Sequence, residues 1–378
     1  MTCTYADIPK LGFGLMRLPE IDVDGEKTID IERVKLMVDA YMDAGFTYFD
    51  TARGYHGGKS EAVLREAVVE RYPRESFQVA TKLPAWMAKS AEHARAMFDK
   101  SLRETGAGYF DFFLLHNLGE DRTQQFDEWG LWDFLAEKKE AGLIRNLGFS
   151  IHDKADALEK VLAAHPSIDF VQLQINYADW ESETIESRAC YEVARAYDLP
   201  IIVMEPIKGG SLVKLPDAAV EVLRGVNAEE SLPSWALRFA ASLPGVLTVL
   251  SGMSTLEQVQ ENTRALARFE PLSEVEGNAL AQVRAILDGI PTVPCTDCRY
   301  CLKSCPQNVR IPAALASLNI LALYGDEYRA QENYDWNASG GPASRCIACG
   351  MCEGVCPQHI HIVDELERAA ALFERASQ

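Results

Sequence analysis

IERVKLMVDAYMDAGFTYFD, residues 31–50, contains in miniature the pattern that repeats along most of the chain. Its apolar Val34, Met37, Val38, Tyr41 and Met42 recur at three- and four-residue steps, the spacing of one helix face, and Gly45 stops the helix. The short apolar run FTYFD (46–50) then reads as a strand that ends on Asp50. Seven further runs of this kind follow the same rule: LGFGL (11–15), FQVATK (77–82), FDFFLLH (110–116), IRNLGFS (144–150), FVQLQIN (170–176), IIVME (201–205) and VLTVLS (246–251). Segments of helical spacing separate them, among them AEHARAMFDKSLRETG (91–106) and STLEQVQENTRALARF (254–269). Eight β-then-α units predict an α/β protein with parallel strands buried by outer helices, and eight is the number that closes a (β/α)8 TIM barrel. A doubly wound sheet is the alternative, and it would carry G-x-G-x-x-G after its first strand. LGFGLMRL has the first two glycines and lacks the third, so the barrel is expected, over residues 1–288.

Around GIPTVPC (289–295) the period breaks at two prolines, and a second domain is placed over 289–378. Within it PCTDCRYCLKSCP (294–306) and RCIACGMCEGVCP (345–357) form the only internal repeat. IPAALASLNILALYGDEYRAQ (311–331) lies between them as a helical insert that packs on the barrel or on the cysteine region.

The chain has 378 residues, of which 48% are hydrophobic and 25% charged, the composition of a water-exposed globular protein. No apolar run reaches the length of a membrane span, and MTCTYADIPK lacks the regions of a signal peptide, so a cytoplasmic location and no membrane partner are expected. A formal net charge of −19 argues against nucleic acid, whose phosphates would be repelled. Of the ten cysteines, eight fall in the repeat, and Cys3 and Cys190 are expected to be ordinary thiols.

In such barrels the reactive groups sit at the C-terminal ends of strands. Those ends here are Asp50, Lys82, His116, Ser150 and Glu205, and Tyr55 lies in the loop after Asp50. Singly, each has an ordinary structural explanation. Asp, Lys and His ending three successive strands around one pocket, with a Tyr beside them, make a proton-delivery set. The ammonium of Lys82 favours the phenolate and lowers the Tyr55 pKa, Asp50 holds Lys82, and His116 donates to a substrate oxygen. His152 and Glu205 are further polar groups near the pocket mouth, available for substrate recognition.

GFTYFDTARGYHGGKSEAVL (45–64), VATKL (79–83), LLHN (114–117), GFS (148–150), MEPIKGGSL (204–212) and SGMSTLEQVQEN (251–262) together resemble the aldo-keto reductase superfamily, in order and at family spacing. The resemblance implies that Asp50, Tyr55, Lys82 and His116 are the catalytic tetrad and that the substrate is a small carbonyl compound or alcohol. It also implies NADP(H) or NAD(H) as cofactor. Ser150 and Gln172 would hold the carboxamide, Met204 would take the place of the ring that stacks on nicotinamide, and Lys208, Gly209, Gly210, Ser211 and Leu212 would cradle the pyrophosphate. Ser251, Gly252, Gln258 and Asn262 would face the adenosine end. The chain departs from the family pattern at Ile151, where an Asn is expected, and at Gly252 and Gln258, where basic residues often grip a 2′-phosphate.

Cys295, Cys298, Cys301 and Cys305-Pro306 fit C-x2-C-x2-C-x3-C-P, and Cys346, Cys349, Cys352 and Cys356-Pro357 repeat it. This is the spacing of bacterial ferredoxins with two [4Fe–4S] clusters, in which each fourth cysteine ligates the other cluster. One cluster is thus expected on Cys295, Cys298, Cys301 and Cys356, the other on Cys346, Cys349, Cys352 and Cys305. Structural zinc also uses C-x2-C pairs, but it has no use for a third cysteine at the same step and a fourth before proline, in duplicate. The region is expected to be a small α+β ferredoxin-like fold, elaborated by the forty residues between Cys305 and Cys346. Barrel and cysteine motifs on one chain resemble the iron–sulfur aldo-keto reductases of bacteria and archaea, often anaerobes. Two functions follow: a carbonyl reductase or alcohol dehydrogenase whose clusters relay electrons to or from a ferredoxin-like partner or serve structure, or an electron-transfer module whose barrel is a scaffold, a sensor or the holder of another redox cofactor such as flavin.

Overall fold

The computed structural model describes Tyr5, residues 8–119 and residues 121–374. The chain divides into two compact units. The first comprises the described residues up to Pro206 together with Pro233–Leu272; the second comprises Ile207–Leu232 and the described residues from Ser273 onward. Compactness therefore groups the turn after Glu205 and the helix Glu274–Asp288 with the cysteine region, a different division from one at 288/289.

In the first unit all eight expected strands form: β1 Leu11–Gly14, β4 Tyr48–Asp50, β5 Gln78–Leu83, β6 Phe110–Leu118, β7 Ile144–Ile151, β8 Phe170–Gln174, β9 Ile201–Met204 and β10 Val246–Gly252. They pair in parallel as a closed barrel in the order β1-β10-β9-β8-β7-β6-β5-β4. An additional hairpin, β2 Glu20–Val23 with β3 Glu26–Ile29, precedes the first helix. Its turn, Asp24-Gly25, has φ of 55° and 87° at the two central residues, the left-handed pair that a two-residue hairpin loop requires.

The helix Ile31–Asp43 shows why the outer layer forms. Asp30 caps it by accepting from the Arg33 N–H at 3.1 Å, and Val34, Met37, Val38 and Tyr41 are buried. Past its end Gly45 takes a φ of 87°. The buried Tyr41 hydroxyl lies 2.7 Å from the Leu11 carbonyl and 2.9 Å from that of Tyr48, so the helix is fastened to both β1 and β4. Inside the barrel Phe112 meets Phe170 edge-on and Tyr48 at a tilt, with centroids 5.1 and 5.2 Å away. Gly148 permits this filling: a Cβ there would stand 2.5 Å from the Phe170 carbonyl oxygen.

Register sets the working end. Asp50 pairs with Gly14 and Ala80, Lys82 with Leu114, Ser150 with Gln172, and Gly14 with Gly252. At the opposite end Asp111, the second residue of β6, is buried with its carboxylate 2.6 Å from Arg74 Nη2 and 2.8 Å from Arg145 Nη1, an anchor between strands rather than a reactive group.

The second unit is helical: Asp217–Val226, Glu274–Asp288, Tyr300–Ser304, Ile311–Tyr324, Glu327–Asn337 and Ile362–Phe373. Among the described residues of the cysteine region no strand is present, so turns and helices carry the motifs where an α+β arrangement was expected. Ser273 and Glu276 close a capping box at the first residues of Glu274–Asp288. Ile311, Ala314, Leu315 and Leu318 of the insert share one apolar core with Tyr334, Leu366, Phe373, Cys301 and Cys352. The insert thus packs on the cysteine fold.

Candidate active site and cysteine cavities

Asp50, Lys82 and His116 come from the ends of neighbouring strands, and Tyr55 from the short turn Tyr55–Gly58 after β4. The Lys82 ammonium, almost fully buried, donates to Asp50 Oδ1 at 2.6 Å and to the Thr51 carbonyl at 2.8 Å, and stands 3.5 Å from the Tyr55 hydroxyl. The His116 ring faces Tyr55 edge-on at 6.0 Å. The four residues expected from sequence are therefore brought together.

Electrostatics refine their roles. Burial raises the Tyr55 pKa above its ordinary 10.0, and Asp50 and Glu205 add to it; Lys82 pulls the other way and does not prevail. The net direction is opposite to the expected lowering, because desolvation of a phenolate outweighs one ammonium already committed to Asp50. Tyr55 rests as a protonated acid. Burial, with help from Lys82 and His152, holds His116 well below its ordinary 6.5, so it is neutral. Burial drives Asp50 upward against the pull of Lys82 and of Gln172. For Lys82 burial favours the neutral amine, yet Asp50 and Tyr55 together raise its pKa, so the ammonium persists.

Behind the tetrad lies a layer that sequence reasoning did not single out. Glu61, fully buried, accepts from Arg53 Nη1 at 2.7 Å and from the Thr81 hydroxyl at 2.8 Å, while Thr51 and Ser60 hydroxyls meet at 2.8 Å. These bonds fix the backbone that presents Asp50, Tyr55 and Lys82; the only signal was the Ser60-Glu61 pair in the quoted stretch. Trp86, half exposed, packs its ring 4.9 Å from His116 and forms an apolar wall of the site. Backbone of left-handed φ clusters here at His56, Asn117 and Glu205, unusual for non-glycine residues and concentrated where strain is tolerated for function. Asp50 Oδ2, His116 Nδ1 and Asn117 Oδ1 are buried with no hydrogen-bond partner, a cluster of unmet polar atoms at the strand ends.

The residues expected to hold a nucleotide are placed as follows. In the first unit Ser150 is buried and accepts from the Asn117 N–H at 2.8 Å, and Gln172, opposite it in register, is buried beside Asp50. Met204 ends β9, half-buried. Asn262 donates to the Ser251 hydroxyl at 3.0 Å. Gln258 accepts from the Ser254 N–H at 2.7 Å, just ahead of the helix Leu256–Ala267, which Thr255 caps by accepting from the Gln258 N–H. At Gly252 the Arg17 side chain lies where a Cβ would be 3.3 Å from its Cδ, so a cation from the β1 loop covers the position at which a basic residue was missing. His152 is exposed, with Nδ1 3.4 Å from Gln174 Oε1. In the second unit Lys208–Val213 form a tight turn with left-handed φ at Lys208, Gly209 and Gly210. The N–H groups of Gly210 and Leu212 both point to the Ile207 carbonyl, at 2.9 and 3.3 Å.

Two cavities occupy the cysteine region. Cys295, Cys298, Cys301 and Cys356 line one, with Ile311, Leu315 and Ile360. Cys305, Cys346, Cys349 and Cys352 line the other, with Ile347, Val363 and Leu366. Each takes three cysteines from one motif and the fourth from its repeat. They enclose about 330 and 300 Å3 of atom-free space, part of it open to solvent. No group of three or more His, Cys, Asp or Glu among the described residues is close enough to hold a single metal ion. The Val309 N–H points to Cys305 Sγ and the Ala348 N–H to Cys346 Sγ, both at 3.4 Å, the kind of bond that tunes cluster thiolates. Burial pushes the Cys301 thiol up to about 12, so a bare thiolate there is costly without iron to compensate it. Cys190 is buried with its thiol also pushed up to about 12 by burial, as suits an ordinary thiol; Cys3 lies outside the described residues.

Comparison with known proteins bears on both regions. Residues 10–285 match the model of the aldo/keto reductase family, and residues 294–361 that of the 4Fe-4S dicluster domain. An aldo-keto reductase of Mycolicibacterium smegmatis is 26% identical over 61% of this chain and 74% of its own. The uncharacterized oxidoreductase YqkF of Bacillus subtilis is 24% identical over 72% of this chain and 92% of its own. Among solved structures, an aldo-keto reductase from Klebsiella pneumoniae in complex with NADPH has 23% identity and a TM-score of 0.57, covering 74% of this chain and 91% of that one, a likeness of fold.

Proposed function

The chain belongs to the aldo/keto reductase family and carries a C-terminal 4Fe-4S dicluster domain, and from that premise we propose that it reduces a small-molecule carbonyl, or oxidises the matching alcohol, with Tyr55 as acid and base. The protein is an oxidoreductase. The observation that carries the proposal is the Lys82 ammonium, clamped on Asp50 and Thr51 and 3.5 Å from the Tyr55 hydroxyl.

A reduced nicotinamide, when bound, supplies hydride for the carbonyl carbon. Tyr55 gives its proton to the carbonyl oxygen, so that one hydride and one proton complete the alcohol. Lys82 stabilises the resulting phenolate, and its bond to Asp50 keeps it from turning away. Neutral His116 orients the carbonyl oxygen by hydrogen bonding without adding charge. In the first unit Ser150 and Gln172 are assigned to the carboxamide, Met204 to the ring face, and Ser251, Gly252 and Asn262 to the adenosine end, whereas the Gln258 side chain is taken up by the Ser254 N–H. In the second unit the turn at Lys208–Val213 is assigned to the diphosphate.

The eight cysteines suit two [4Fe–4S] clusters, each held by three thiolates of one motif and one of the other, as their division between the cavities supports. Such clusters supply one-electron transfer, here with a ferredoxin-like protein as the partner we propose. The second reading, a barrel that serves as scaffold or takes flavin, is favoured by Gln258 and Ser150 being engaged within the protein.

Titration of NADPH, NADH and FAD into the anaerobically purified protein separates the two. Tight nicotinamide binding with carbonyl reduction that disappears in Tyr55→Phe supports the proposal. Flavin binding alone, or full activity in Tyr55→Phe, would sink it.

A further inference from the structure

Forty residues separate the two cysteine motifs, far more than ligation of a pair of clusters demands. Their position in the second unit gives them another task. The helices Ile311–Tyr324 and Glu327–Asn337 both pack on the turn Lys208–Val213, and the second brings Arg329 onto it. A Cβ at Gly210 would lie 2.6 Å from Arg329 Nη2 and 3.1 Å from its Cζ and Nε, so the guanidinium rests directly on the glycine. Only a residue without a side chain allows that approach, and Gly210 also carries a φ of 101°.

The hydrogen bonds around Arg329 leave one edge of the guanidinium uncommitted. Its Nη1 is held by Glu332, and its backbone N–H by Asp326, which caps the helix. Nη2 and Nε make no hydrogen bond to the described residues, although the side chain is only 19% exposed. The neighbouring cation Lys214 is occupied differently, 3.2 Å from Asp326 Oδ1. Meanwhile the turn has spent the Gly210 and Leu212 N–H groups on the Ile207 carbonyl. Two of the five amides expected to cradle a diphosphate are thus turned inward, and a guanidinium edge stands over the same glycine.

We propose that Arg329, carried by the insert of the iron–sulfur region, is a ligand for the diphosphate of the dinucleotide at the Lys208–Val213 turn. A planar guanidinium with two parallel donors matches a phosphate better than a single ammonium does. The insert then has a physical reason for its length: it brings a planar guanidinium to a turn whose own cations, Lys208 and Lys214, are single ammonium groups. The inference rests on the assignment of this turn to the cofactor diphosphate.

Affinities of the holoprotein for NADPH, ADP-ribose and FAD, measured anaerobically by calorimetry at low and high salt, test it. Arg329→Gln should weaken NADPH and ADP-ribose alike by roughly 10- to 100-fold, the range of one charge-assisted contact, and flatten the salt dependence. Arg329→Lys should recover part of the loss. Glu332→Gln should tighten binding, because it frees Nη1 and removes a competing anion; weakening by both Arg329→Gln and Glu332→Gln would mark a purely structural ion pair and overturn the inference. Affinities within two-fold of wild type in Arg329→Gln would overturn it while leaving the nicotinamide reading intact. Should the wild type take FAD instead, with the same dependence on Arg329, the nicotinamide reading falls and the diphosphate contact stands. A wild type that binds none of the three removes both.

Discussion

The tetrad and the cysteine motifs are two ways of holding reactive groups in place. Asp50, Lys82 and His116 are positioned by backbone hydrogen bonds of a closed sheet, and the buried Glu61–Arg53 layer supports them. The cysteines sit mostly on turns, Cys301 on the short helix Tyr300–Ser304, with left-handed backbone at Asp297, Arg299, Asn308 and Ala348 and a small shared core around them. A site on a sheet is formed before its ligand arrives. A site on turns is completed by the ligand, whose binding energy becomes folding energy.

The sharpest break between the two is chemical. Tyr55→Phe should lower kcat/KM for carbonyl reduction by roughly 10²- to 10⁴-fold with cofactor affinity unchanged, since it removes a proton and nothing that orders the barrel. Next comes the division of the iron. The intact protein should carry about eight iron atoms, and Cys305→Ser should lose the cluster of the cavity lined by Cys346, Cys349 and Cys352. Adding Cys346→Ser to it should cost no more iron, whereas adding Cys295→Ser should remove the rest. Iron analysis with electron paramagnetic resonance reads this, and the opposite pairing would show that each motif fills its own cavity.

Stability variants sharpen the comparison further. Phe112→Ala opens the barrel centre and should cost about 3–5 kcal/mol in chemical denaturation, with the iron content unchanged. Leu315→Ala should cost about 2–5 kcal/mol and release iron as well, because it shares its core with Cys301 and Cys352.

Smaller effects concern pH. Reduction needs the protonated phenol, and burial holds Tyr55 above its ordinary 10.0, so kcat/KM should stay level to about pH 9 and fall only as pH rises through the Tyr55 pKa. His116, held well below 6.5, should give no inflection near that value. An acid limb near 6.5 that vanishes in His116→Gln would contradict its neutral role. Smallest of all, Gln258→Ala should cost below about 1 kcal/mol of stability and change NADPH affinity less than two-fold, since its side chain is committed to the Ser254 N–H.

Legibility followed the same division. Eight strands and the residues at their ends could be read because burial on both faces demands continuous apolar runs, and parallel register carries their ends to one side. The hairpin Glu20–Ile29 was overlooked although Asp24-Gly25 announces its turn, because the strands themselves are short and exposed. The direction of the Tyr55 shift was out of reach, since it depends on how much water the fold removes. Which N–H groups the Lys208–Val213 turn keeps for itself, and that Arg329 lies over it, depend on contacts between segments more than a hundred residues apart. Spacing divided the eight cysteines as the two cavities divide them, yet the helices around them follow from packing about a small core rather than from any period.

The crosswise lining of the cavities also sets an order of events in time. A chain emerges from the ribosome with Cys295, Cys298 and Cys301 long before Cys356, and under the proposed ligation no cavity is complete until the second motif has been made. Iron delivery must therefore wait until Cys356 has been made, by which point the barrel strands have all been synthesised. Loading of the clusters becomes a late checkpoint on synthesis: a chain truncated before Cys356 would have a barrel free to fold and a first cavity unable to close.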